Sequence, residues 1–181
     1  MMKNILFSLP LVLLLLSVAH TNADRPAAAR RGVSHRQSPA DTFLLRLPDL
    51  AADRDSLVCL SVSAVEFKRI LSMQYSMSWD TSVLKFRQVR AFGLPSMGPN
   101  NFGTHLAGRG TLTFSWYDPN LRGMTKGGPV PLYELCFMAT GLPGTRTQLS
   151  FGNHPTVVEI ANSAAEFYVL ASQGGHVEVK K

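Results

Sequence analysis

Two stretches built around tryptophan constrain this chain more than anything else in it. One runs Met73-Gln74-Tyr75-Ser76-Met77-Ser78-Trp79-Asp80-Thr81-Ser82-Val83-Leu84-Lys85-Phe86, the other Leu112-Thr113-Phe114-Ser115-Trp116-Tyr117-Asp118-Pro119. In both, large apolar residues alternate strictly with small polar ones. That period of two is the pattern of a β-strand with one buried and one open face. Each run then stops at an aspartate, a residue suited to turns. Asp80 is also placed to cap a single helical turn over Thr81–Leu84.

The same texture fills the chain from Asp41 onward. Short alternating runs, separated by Gly, Pro, Asn and Asp, predict strands near 42–47, 57–63, 70–79, 85–91, 111–117, 131–140, 147–151, 156–160, 165–170 and 176–179. No window carries a substantial 3.6-residue period, so the fold class is all-β, a sandwich or barrel. The alternation also assigns faces. Leu71, Met73, Tyr75, Met77 and Trp79 point to the core, as do Leu112, Phe114 and Trp116. The open face collects Ser72, Gln74, Ser76, Ser78, Thr111, Thr113, Ser115 and Tyr117. These eight residues are the candidate binding face.

The first forty of the 181 residues read differently. Lys3 precedes an uncharged apolar run, Ile5–Val18, interrupted by Pro10, and small residues follow at Ala19 and at Thr21-Asn22-Ala23. This is the layout of a secretory signal peptide, 1–23, cleaved after Ala23. The run is short of the roughly 20 apolar residues a membrane span needs. Residues 24–40 are rich in Ala, Arg, Pro and Ser and read as a flexible basic linker. Arg25, Arg30, Arg31 and Arg36 against Asp24 give the linker +3, and Lys3 adds +1, so of the total of +6 only +2 belongs to the predicted domain, 41–181. The basic balance is largely a property of the leader and the linker, which argues against a nucleic-acid partner. The expected location is extracellular or at the cell surface, with no membrane span after cleavage.

An oxidising compartment favours a disulfide between the two cysteines, Cys59 and Cys136. Both fall on the outward side of their strands, and if those strands are neighbours the sulfurs can meet. Two cysteines without a local His or Asp are too few ligands for a metal site. His105 and His154 are isolated, His154 before Pro155 reads as a loop residue, and His176 sits near the C-terminus. No nucleophile–base arrangement and no cofactor motif is present, and Asp80 and Asp118 read as turn residues rather than a catalytic pair. The expectation is a noncatalytic binding module with no cofactor and no metal. Gly127-Gly128 and Gly141–Gly144 read as turns, and the Gly93–Gly110 stretch as a long loop or crossover.

The ordered set Val58-Cys59-Leu60-Ser61-Val62, Met73 to Phe86, Phe92-Gly93-Leu94-Pro95, Asn101-Phe102-Gly103, Leu112 to Pro119, Leu135-Cys136-Phe137, Phe151-Gly152-Asn153-His154-Pro155-Thr156 and Val158-Glu159-Ile160 resembles the cohesin domain in its divergent bacterial form. The resemblance implies a nine-stranded jelly-roll β-sandwich in which the strands of Cys59 and Cys136 lie side by side. It implies protein–protein interaction, with a dockerin-bearing secreted enzyme of polysaccharide degradation as partner, docked on the sheet that holds Met73–Trp79 and Thr111–Tyr117. The chain departs from the usual pattern in reading Asp80-Thr81 where Asp-Pro is common, and in a docking face that is small and nearly uncharged. The wider superfamily includes cellulose-binding modules, so the alternative is a carbohydrate-binding module with polysaccharide as ligand. The scarcity of outward rings weighs against it. Only Tyr117 is on the face, with Phe92, Phe102 and Tyr168 as further candidates from loops or edges.

Overall fold

The computed structural model describes residues 42–180. The signal peptide and linker, 1–40, lie outside the described residues. Fourteen strands follow in order: β1 Thr42–Arg46, β2 Leu50–Ala52, β3 Leu57–Ala64, β4 Phe67–Ser78, β5 Leu84–Arg90, β6 Phe102–Gly103, β7 Thr111–Tyr117, β8 Met124–Lys126, β9 Val130–Ala139, β10 Arg146–Gln148, β11 Ser150–Gly152, β12 Glu159–Asn162, β13 Val169–Gln173 and β14 His176–Val179. Among the described residues, two short 3₁₀ turns interrupt them, Pro99–Asn101 and Ala107–Arg109. No helix among the described residues is long and apolar enough to cross a membrane.

One sheet has the order β13-β1-β3-β9-β5, and the facing sheet β11-β4-β7-β6, with β12 and β8 also on β4. A three-stranded sheet, β10-β14-β2, completes the domain. β1 and β2 are halves of one extended segment that bends from one sheet into another. β13 and β14 bend with it, so that β1–β13 and β2–β14 are both parallel. The bend between β13 and β14 uses Gly174 and Gly175, both at positive φ. A Cβ on Gly174 would run into the carbonyl of Leu47, so only glycine fits there. Once such broken strands are joined, the architecture is the expected jelly-roll sandwich.

The core is where inward residues of the two sheets meet, as alternation demands. Tyr75 and Phe114 from one sheet pack around Tyr133 from the other, with ring centroids 4.9 Å apart for Tyr75–Phe114 and 5.3 Å for Phe114–Tyr133. Buried hydroxyls need partners, and those of Tyr75 and Tyr133 pair with each other at 2.8 Å. Burial pushes both phenols above their ordinary pKa. Trp79 packs edge-on against Phe137 and donates its indole N–H to the carbonyl of Leu84 at 3.0 Å. That bond closes the turn at Thr81–Leu84, where Asp80 accepts the amide and hydroxyl of Ser82, each at 2.7 Å.

Candidate binding face

β4 is the spine of the candidate face. It pairs with β7 along one edge, setting Ser72 opposite Tyr117, Gln74 opposite Ser115, Ser76 opposite Thr113 and Ser78 opposite Thr111. All eight predicted residues therefore share one side of one sheet. Ser78, Ser115 and Tyr117 are exposed, and Ser72, Gln74, Thr111 and Thr113 are half-buried. Tyr117 keeps 63% of its surface open. The carbonyl of Ser115 accepts Nδ2 of Asn101 at 2.8 Å.

Ser76 is the correction: it is only 2% exposed. The segment between β11 and β12 crosses over it. The Ser76 hydroxyl donates to the carbonyl of Thr156 at 3.0 Å and accepts the amide of Thr156 at 2.8 Å. The alternation places Ser76 on the outer side correctly, but period two within a strand does not report what crosses that side. The centre of the face is therefore roofed, and a shallow depression of about 220 Å³ runs beside the roof, lined by Ser76, Ser78, Phe151 and His154 among others.

Three loops frame the face, and each is closed by an Asn or Asp side chain. The buried carboxylate of Asp118 accepts the amides of Asn120, Arg122 and Gly123 at 3.0, 3.2 and 3.0 Å, building the turn that holds Leu121 out. Asn153 accepts the amide of Val158 at 2.9 Å and closes the roof that carries Val157. Buried Asn162 accepts the amides of Ala164 and Glu166 at 2.9 and 3.1 Å and donates to the Glu166 carboxylate at 2.7 Å. That turn presents Phe167, which bridges to Ala161. Through Ala161–Ser72 and Ser72–Tyr117 the register places Phe167 and Tyr117 in one cross-strand row. Three strand spacings separate them by about 14 Å.

Leu121, Val157 and Phe167 are exposed at 69%, 62% and 60%. Sequence reasoning missed all three as face residues. Each is an apolar residue in a polar loop a few positions from an Asn or Asp, and that was the available signal. The rings suggested instead go elsewhere. Phe102 is buried against Phe114 and Tyr133, Phe92 is half-buried beside Phe102, and half-buried Tyr168 packs edge-on against Phe43.

Of the other sequence candidates, His154 lines the depression beside the roof, and Asp118 closes one of the framing turns. Asp118 is the buried centre of its turn, as turn chemistry required. The amide of His176 and its ring Nδ1 both meet Oδ1 of Asp49, at 2.9 and 3.2 Å. The amide of His176 is the main reason that the Asp49 carboxyl lies below its ordinary pKa. That pair lines a shallow depression of about 280 Å³ on the β10-β14-β2 sheet with Arg146 and Glu178. Cys59 and Cys136 sit directly opposite each other on β3 and β9 and form the expected disulfide.

No protein-family model matches the sequence, and no curated protein does. Solved structures do match. A type I cohesin–dockerin complex from Clostridium thermocellum superposes with a TM-score of 0.64 at 16% identity, covering 81% of this chain and 99% of the matched one. This chain has a cohesin-like fold. The sixth cohesin of scaffoldin B from Acetivibrio cellulolyticus, solved with a dockerin, gives 0.63 at 16% identity over 77% of this chain and 99% of its own. A non-cellulosomal cohesin from the archaeon Archaeoglobus fulgidus gives 0.60 at 17% identity over 77% and 92%. The cohesin-like domain thus keeps the architecture of these proteins while sharing few of their residues.

Proposed function

We propose that this cohesin-like domain is a noncatalytic module that binds a protein through the outer face of β4 and β7, and that its partner is a dockerin-type domain. The observation that carries the proposal is the face itself: a polar floor of Ser72, Gln74 and Ser115, with exposed Tyr117 and Phe167 in one cross-strand row and exposed Leu121 and Val157 in adjoining loops. Apolar and aromatic anchors around a polar floor are how specific protein interfaces concentrate their energy. Several structures of the same fold are complexes with dockerins, which supports a protein ligand. The leader-like Met1–Ala23 supports export, and a dockerin-bearing secreted enzyme acting on polysaccharide is the corresponding partner.

The test is capture of secreted proteins from the source organism on the immobilised full chain in Ca²⁺, followed by elution with EDTA. A dockerin-bearing protein should elute. It should be lost when Gln74→Arg and Ser115→Arg are combined, with the melting temperature nearly unchanged. An empty eluate together with retention on a polysaccharide would assign the face to glycan and overturn the proposal.

A further inference from the structure

The opposite sheet carries a second group of reactive side chains, unrelated to the binding face. On β3 and β9 the register sets Cys59 against Cys136 and Ser61 against Glu134. Glu134 therefore lies one pair along the same outer side from the disulfide. One carboxylate oxygen of Glu134 and the two sulfurs all lie within 4.8 Å of one another. Arg90, opposite Glu134 on β5, holds the other side of this group with Nε 2.8 Å from Oε2. Cys136 is buried, while Cys59 and Glu134 are half-buried.

We propose that the Cys59–Cys136 bridge is a redox-gated metal site: once reduced by a dithiol, the two sulfurs and the Glu134 carboxylate bind a borderline-soft divalent cation, Zn²⁺ or Cd²⁺. The first thiolate of the dithiol attacks the more accessible sulfur, that of Cys59, and Cys136 leaves as a thiolate. The second thiol of the reductant then displaces Cys59 and closes the reductant's own disulfide. The two cysteines take up two protons and the reductant gives up two electrons. Metal binding releases those two protons and forms two metal–sulfur bonds and one metal–oxygen bond, with water completing four-coordination.

The geometry suits this ion. Tetrahedral Zn²⁺ with bonds of about 2.0–2.3 Å holds its ligand atoms about 3.5–3.8 Å apart, so on reduction the two sulfurs rotate out of bonding distance, about 2 Å, and the Glu134 oxygen, already within 4.8 Å of both, closes in. The charges suit it as well. Two thiolates and a carboxylate carry three negative charges, and Arg90 with a divalent cation balances them. Glu134, two residues before Cys136, supplies the third ligand that counting cysteines alone does not reveal.

The experiment uses the full chain, reduced with a phosphine and titrated with Cd²⁺. One ion per reduced chain should bind, with a sulfur-to-cadmium charge-transfer band in the ultraviolet, and none in the oxidised chain. Glu134→Gln should weaken binding by more than the roughly tenfold that loss of an outer-shell partner costs. Equal binding in Glu134→Gln, or no band, overturns the three-ligand site. Because reduction removes a cross-link between β3 and β9, thermal melting supplies a second readout. Zn²⁺ should raise the melting temperature of the reduced chain and leave the oxidised chain unchanged. A reduced chain that binds Cd²⁺ but gains no thermal stability from Zn²⁺ is an unfolded dithiol, and that result also overturns the proposal.

Discussion

An arginine at position 76 would have to displace Thr156 from a hydroxyl that both donates to its carbonyl and accepts from its amide. Overpacking and two broken hydrogen bonds together cost about 2–4 kcal/mol. Ser76→Arg should therefore lower the melting temperature markedly. Ser115→Arg, whose parent side chain is open to solvent, should stay within about 0.5 kcal/mol of the parent. Equal melting of the two variants would mean that the segment over Ser76 does not pack as described. A second prediction concerns Asp80. The Ser82 hydroxyl, then its amide, hold the Asp80 carboxyl below its ordinary pKa. The folded value is thus below the unfolded one, and ionised Asp80 stabilises the fold above about pH 4. That contribution disappears as pH falls through the folded value. Melting curves of the parent and Asp80→Asn should differ at neutral pH and converge below about pH 4. A difference that persists undiminished at lower pH would rule out this carboxylate as its source.

Among elements, the long strands were legible because period two has room to repeat. β3, β4, β7 and β9 fall within a few residues of their predicted limits. β2, β6 and β8, of two or three residues each, carry no readable period and were missed. The predicted strand at 156–160 begins late, at Glu159, because Thr156 is held across Ser76 instead of pairing along β4. The turns that frame the face depend on single polar side chains. Asn162→Ala removes the bonds that shape the Phe167 turn and should cost about 1–3 kcal/mol. It should also weaken partner binding more than a surface alanine does. Unchanged affinity, measured by titration against the captured partner, would remove Phe167 from the interface. Gly110 makes the corresponding point for backbone. It sits at φ +75° after the second 3₁₀ turn, and a Cβ there would strike the carbonyl of Trp79. Gly110→Ala should lose more than about 1 kcal/mol, seen as a lower urea midpoint with an unchanged slope.

At the scale of the whole molecule, the disulfide ties β3 to β9 across 77 residues of chain. Closing a loop of that length stabilises by about 4 kcal/mol in the chain-entropy model. Cys59→Ala with Cys136→Ala should lower the denaturant midpoint by a corresponding amount, and a negligible change would show that the sandwich constrains its unfolded chain in some other way. The all-β sandwich followed from the sequence because alternation names the core, while its cohesin-like form followed from the family resemblance. Each inward residue from Met73 to Trp79, and Leu112, Phe114 and Trp116, has to be covered, and two sheets are the way to cover them. The side of the sheet that carries the face followed from the same alternation. Tertiary structure alone decided which part of that face is open. The roof over Ser76 and the turns that present Leu121, Val157 and Phe167 come from segments distant in sequence from β4. Glu134 joins the two cysteines only because β3 lies beside β9. A strand's period records its own two sides and holds no information about what another part of the chain lays across them.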